Sequence, residues 1–106
     1  MTDAEMQKVG DDIVDVLRSI YDPEIPVNIY ELGLIYDVQV STEGDVKILM
    51  TLTSPNCPVA ESLPEEVKQK AGTVTEVKEV EVEITFEPTW TKDMMSEEAM
   101  LELGFL

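Results

Sequence analysis

From Glu79 to Phe86 the chain reads Glu-Val-Glu-Val-Glu-Ile-Thr-Phe. A period of two places Val80, Val82, Ile84 and Phe86 on one side of the backbone. Glu79, Glu81, Glu83 and Thr85 fall on the other side, an arrangement that no helix produces. The segment is therefore a strand of a sheet with one dry face and one wet face. The glutamates also blunt the strand if it lies at an edge. They read as a solvated face rather than a carboxylate metal site.

Two further strands have the same logic. Leu34, Tyr36, Val38 and Val40 alternate with Ile35, Asp37, Gln39 and Ser41. Thr42-Glu43-Gly44-Asp45 then makes a hairpin turn. Val46, Ile48, Met50 and Leu52 form the inward face of the next strand, against Lys47, Leu49, Thr51 and Thr53.

Helical spacing appears on either side of these strands. Val9, Ile13, Val16, Leu17 and Ile20 line one face of an amphipathic helix over residues 3–20, and Thr2 with Glu5 has capping-box spacing. That face is core. Asp22-Pro23 ends this helix, because a residue before proline avoids the α region. Asn28 and Glu31 cap a short turn stopped by Gly33. A second helix follows the second strand and ends at Gly72. It starts either near Pro58 with a bend at Pro64, the reading favoured here, or at Ser62 with Glu65 as its capping partner. A last short helix runs from Ser96 to Leu103, with Ser96 as N-cap, Met95 and Met100 as staple and Gly104 as stop.

The order α-β-β-α-β-α predicts a two-layer α/β (α+β) fold, with a three-stranded mixed sheet and helices on one face. The 106 residues suffice for one domain with one core, spanning 1–106. A hairpin sets the start of the first strand beside the end of the second. The crossover through the second helix makes the third strand parallel to the second. Three segments therefore converge at one edge: Asp22–Gly33, the stretch after Leu52, and Pro88–Trp90.

Charge narrows the partners. There are 23 acidic and 7 basic residues, a net charge of −16. Such a surface repels phosphate backbones and anionic lipid heads, which excludes nucleic acid and membrane and suits a basic protein. The chain has no histidine, the commonest general base and metal ligand. Asp3, Glu5, Asp11, Asp12, Asp15 and Arg18 in the first twenty residues leave no secretory signal to read, and no apolar run is long enough to span a membrane. One cysteine makes no internal disulfide, and a cytoplasmic location is expected.

That cysteine, Cys57, lies in Thr51-Leu52-Thr53-Ser54-Pro55-Asn56-Cys57-Pro58. Free cysteines are often buried as small hydrophobes. The Ser-Pro-Asn-Cys-Pro composition is that of a turn, however, and a thiol at a helix start is expected to be exposed and acidified.

Four motifs now stand in order: Asp22-Pro23-Glu24-Ile25-Pro26, Glu31-Leu32-Gly33-Leu34-Ile35-Tyr36, Thr51 to Pro58, and Pro88-Thr89-Trp90-Thr91. Together, over nearly the whole chain, they resemble the small-domain family that includes SufT and PaaD, within the iron–sulfur cluster assembly superfamily. The resemblance implies a two-layer α/β fold and a part in maturing iron–sulfur proteins. The family's characteristic aspartate and cysteine match Asp22 and Cys57. Its doubled proline before the tryptophan is here Pro88-Thr89. PaaD-type members, accessories of ring-oxygenating systems, usually bring extra cysteines, so the single thiol favours the SufT type.

Iron–sulfur clusters are normally held by four ligands, chiefly thiolates, and one thiol cannot enclose one. The expected roles are a site bridged across a homodimer, transient ligation of iron or a cluster shared with a partner, or docking to assembly machinery and client apoproteins. Asp22 and Glu24 oxygens beside the Cys57 thiolate are expected to hold iron weakly, with Asp22 and Cys57 as the metal ligands, against a plain turn start for Asp22 and a solvent or capping role for Glu24. Thr51, Thr53, Ser54 and Asn56 complete the functional loop. Trp90 is a packing anchor at its floor, and Tyr30 and Tyr36 read as core. A cysteine-dependent enzyme is the competing class, and it lacks the base that such a thiol pairs with.

Overall fold

A computed structural model of the chain describes residues 2–21, 27–52 and 62–104. Its elements are α1 (Asp3–Leu17), β1 (Ile35–Val40), β2 (Asp45–Met50), α2 (Ser62–Ala71), β3 (Glu79–Ile84), a 3-10 turn η1 (Lys92–Met94) and α3 (Glu97–Glu102). The sheet order is β1-β2-β3, with β1 antiparallel and β3 parallel to the central β2. The expected order and mixed sheet are both present.

The inward face of β2 is the centre of the core. Val46, Ile48 and Met50 are buried, and their register partners across β3 are Val80, Val82 and Ile84. α1 packs on β1 and on α2, and α2 packs on β3, so both helices cover this one face. Val9, Ile13 and Leu17 supply the α1 contribution, and Leu63, Val67 and Ala71 supply that of α2. α3 takes a different place. The Ser96 N–H donates to the Glu31 carbonyl, which sets α3 against the 27–34 segment at the end of the sheet.

The capping box at the start of α1 is complete. Glu5 N–H donates to the Thr2 hydroxyl, and Thr2 N–H donates to the Glu5 carboxylate. The Thr2 N–H, with help from the Thr2 hydroxyl, holds the Glu5 carboxyl below its ordinary range. This support is present in the ionised state and fades as pH falls through the lowered value.

Three expectations are corrected. α1 stops at Leu17 rather than residue 20, because the Ser19 hydroxyl takes the Val16 carbonyl and the chain turns out to bridge Tyr21 with Asn28. Ile20 stays buried, its carbonyl accepting from Ile29 N–H. The alternation along β1 also breaks. Ile35 pairs with Met50 and Asp37 with Leu49, so Tyr36 is an extra residue in a bulge. Ile35 therefore joins the core side, and Tyr36 leaves it. Phe86 lies beyond the end of β3 and is 39% exposed, outside the inward column. The described part of α2 begins at Ser62, with Pro64 in its first turn, where a missing N–H costs little. A start at Pro58 concerns residues outside the described ones.

This packing gives a direct test. Leu17 is fully buried and Glu81 is exposed. Leu17→Ala is expected to cost about 2–5 kcal/mol through the cavity it leaves, and Glu81→Ala under about 0.5 kcal/mol. Chemical denaturation midpoints measure both, and equal midpoints contradict the assignment of faces.

Candidate functional site

The end of the sheet where β1 begins, β2 stops and β3 stops is built from backbone. Thr51 N–H donates to the Leu34 carbonyl at 2.8 Å, and Thr85 N–H to the Met50 carbonyl at 2.9 Å. These bonds carry the strand pairing past the strand ends. They fix the points from which the 53–61 and 86–95 segments depart.

The segment after β3 is strapped across this end. The Trp90 indole N–H donates to the Leu32 carbonyl at 2.8 Å. The Tyr36 hydroxyl donates to the Pro88 carbonyl at 2.7 Å and lies 3.5 Å from the Met94 sulfur. The bulge explains the second bond: with two residues opposing Leu49, the phenol is re-aimed out of the inward column. Ser96 N–H closes the strap on the Glu31 carbonyl. Gly33 lies under it with φ +82°, and a Cβ there would collide with the Met94 carbonyl oxygen. Only glycine combines that backbone conformation with that approach.

Glu31 is the hub of the opposing loop. Its N–H is capped by the Asn28 side chain at 2.9 Å. Its carboxylate, only 12% exposed, pairs with Arg18 at 3.3 Å. Arg18, the only arginine of the chain, also lies 5.1 Å from the centre of the Tyr30 ring. A guanidinium held between a carboxylate and an aromatic face ties the end of α1 to the loop.

Of the residues singled out from the sequence, Thr51 and Trp90 fall in the described structure. Thr51 is fully buried, its hydroxyl 3.4 Å from the Leu52 carbonyl. Trp90 is half-buried and packs against the core as an anchor. Asp22, Glu24, Thr53, Ser54, Asn56 and Cys57 lie outside the described residues, and with them both expected metal ligands. Among the described residues no group of three or more His, Cys, Asp or Glu is placed to hold a metal ion. Sequence reasoning missed the Arg18–Glu31–Tyr30 group and the Tyr36 contact. A lone arginine in so acidic a chain was the available signal for the first. Tyr36 carried none, because its apolar neighbours fit either strand phase.

Comparison with known proteins places this geometry. A family model described as an iron–sulfur cluster assembly protein matches residues 10–84. The chain is 59% identical, over 96% of its length and 97% of the relative's, to a Porphyromonas gingivalis protein named Fe-S protein maturation auxiliary factor. It is 42% identical, over 80% of its length and 97% of the relative's, to the Staphylococcus aureus Fe-S protein maturation auxiliary factor SufT. A crystal structure of a domain of unknown function from Bacillus anthracis superimposes with a TM-score of 0.91 at 35% identity, covering 99% of this chain and 100% of that one. Among the described residues no helix is long and apolar enough to cross a membrane.

The strap predicts an asymmetry between two glycines. Gly33 and Gly104 both have positive φ, but nothing lies within 4 Å of a Cβ at Gly104. Alanine at either position meets a left-handed penalty of about 1–2 kcal/mol. Gly33→Ala is expected to cost clearly more than Gly104→Ala, measured as the difference in unfolding free energy. Equal costs contradict the close approach to Met94.

Proposed function

The chain belongs to the iron–sulfur cluster assembly protein family, and from that premise we propose that it is an auxiliary factor in the maturation of iron–sulfur proteins. It acts by contact with assembly proteins or client apoproteins and handles iron or a cluster transiently through Cys57. The observation that carries this reading is the near full-length likeness to proteins named maturation auxiliary factors.

The donor set supports a transient role. A cluster is normally held by four protein ligands, chiefly thiolates. This chain offers one thiol and no imidazole. Iron or a cluster is therefore cargo, shared with a partner protein or across a homodimer. Asp22 and Glu24 contribute hard oxygens, which hold iron weakly beside a soft thiolate. A carboxylate close to a thiol opposes its ionisation. A bound cation reverses that sign and deprotonates the thiol outright. Loading and proton release are thus coupled.

Leu52, the last described residue before the segment that holds Cys57, follows Thr51, whose N–H donates to the Leu34 carbonyl at the end of the sheet. An enzyme with Cys57 as nucleophile has no histidine to serve as its base, so a non-catalytic role is the better fit.

The test separates function from folding. Cys57→Ser is expected to keep the melting temperature and to lose maturation of iron–sulfur client enzymes in cells, read as their activity and cluster content. A variant that unfolds makes the cysteine a packing residue. One that folds while clients still mature removes the thiol from the function.

A further inference from the structure

We infer that the cleft between α3 and the 27–31 loop receives an arginine side chain from a partner protein. This rests on the reading that the protein works by contact with assembly or client proteins. The cleft has a volume of about 270 Å³ and is lined by Tyr21, Val27, Asn28, Glu31, Glu98, Ala99 and Glu102. Pockets for drug-sized ligands start at about 300 Å³, so this one suits a single long side chain.

Its chemistry is mixed in a particular way. Val27 and Ala99 are buried and make an apolar floor. Tyr21 forms one wall and is 57% exposed, far more than its size would lead one to expect of an aromatic residue in a small domain. Glu98 and Glu102 stand one turn apart on α3, on the same side of the helix. Neither has an ion-pair partner among the described residues. Glu31, the third carboxylate, is already paired with Arg18. Two unneutralised carboxylates, an aromatic wall and an apolar floor complement a cation with a long apolar stem.

A guanidinium fits better than an ammonium. It is planar, stacks on an aromatic face and donates from a fork wide enough to serve two carboxylates. The molecule shows the same chemistry within itself. Arg18 satisfies Glu31 while lying over Tyr30, next door in the same loop. The cleft repeats that carboxylate-and-tyrosine arrangement with no cation paired to Glu98 or Glu102 among the described residues, and the seven basic residues of the sequence include no second arginine. The cleft also adjoins the strap: Ser96, which caps α3, hydrogen-bonds the Glu31 carbonyl. An arginine seated here holds the partner beside the end of the sheet.

The test uses the full chain and the capped tripeptide acetyl-Gly-Arg-Gly-amide, followed by NMR at about 0.15 M salt, where long-range attraction is screened. Saturable shifts are expected at Tyr21, Val27 and Ala99. The citrulline tripeptide, which keeps the shape and loses the charge, is expected to give none. Glu98→Gln with Glu102→Gln is expected to raise Kd by about tenfold. Glu81→Gln with Glu83→Gln changes net charge equally on the distant sheet face and is expected to leave Kd unchanged. Shifts scattered over the acidic surface, equal weakening by the two pairs, or equal binding of the lysine tripeptide each overturn the proposal. If the α3 variant does not fold, the citrulline comparison on the unaltered protein decides. The assay reads no maturation, so its failure leaves the maturation reading to the Cys57→Ser experiment, and the reverse also holds.

Discussion

β3 runs parallel to β2, and a parallel neighbour cannot be reached by a tight turn. The chain has to leave the end of β2, return along the sheet and re-enter at the far edge, and α2 is that return. The hairpin between β1 and β2 brings the start of β1 to the same end. One end of the sheet thus collects the loop before β1, the exit from β2 and the exit from β3. Such an end is an assembly of connections on a rigid core, where side chains are free to serve function rather than packing.

Collected loops do not hold themselves in place. Here the segment after β3 is tied down by four separate devices: the Trp90 indole on Leu32, the Tyr36 phenol on Pro88, Ser96 on Glu31, and a glycine at position 33 that lets Met94 approach. Each net bond is worth only about 1 kcal/mol. They act together across sequence separations of more than fifty residues, so losing one weakens the hold of the others on the same strap. The strap and α3 lie beyond residues 10–84, the part matched by the family model. The sheet, which lies within the matched residues, is thereby given a wall by residues beyond them.

Local chemistry made most of this legible in the sequence. Glutamate alternation marked β3, Thr2 with Glu5 marked the start of α1, and Ser96 marked that of α3. The convergence of three segments followed from strand direction alone. The bulge was not legible, because Leu34, Ile35 and Tyr36 are all apolar enough for either phase, and tertiary pairing chose. The end of α1 was misplaced for a related reason: Ile20 continues the helical spacing, yet its burial comes from an extended bridge. Within the candidate site, Trp90 was rightly seen as an anchor, but its partner, a backbone carbonyl fifty-eight residues away, has no sequence signature. The Arg18 cluster joins three elements and is visible only in the fold.

The central claim is that this scaffold presents Cys57 as a thiol available to iron. Its alkylation rate measured against pH, with and without ferrous iron, tests that claim most directly. The account predicts reaction in the native state, and protection when iron is added. A thiol that reacts only when the protein unfolds, and at the same rate with iron present, contradicts it.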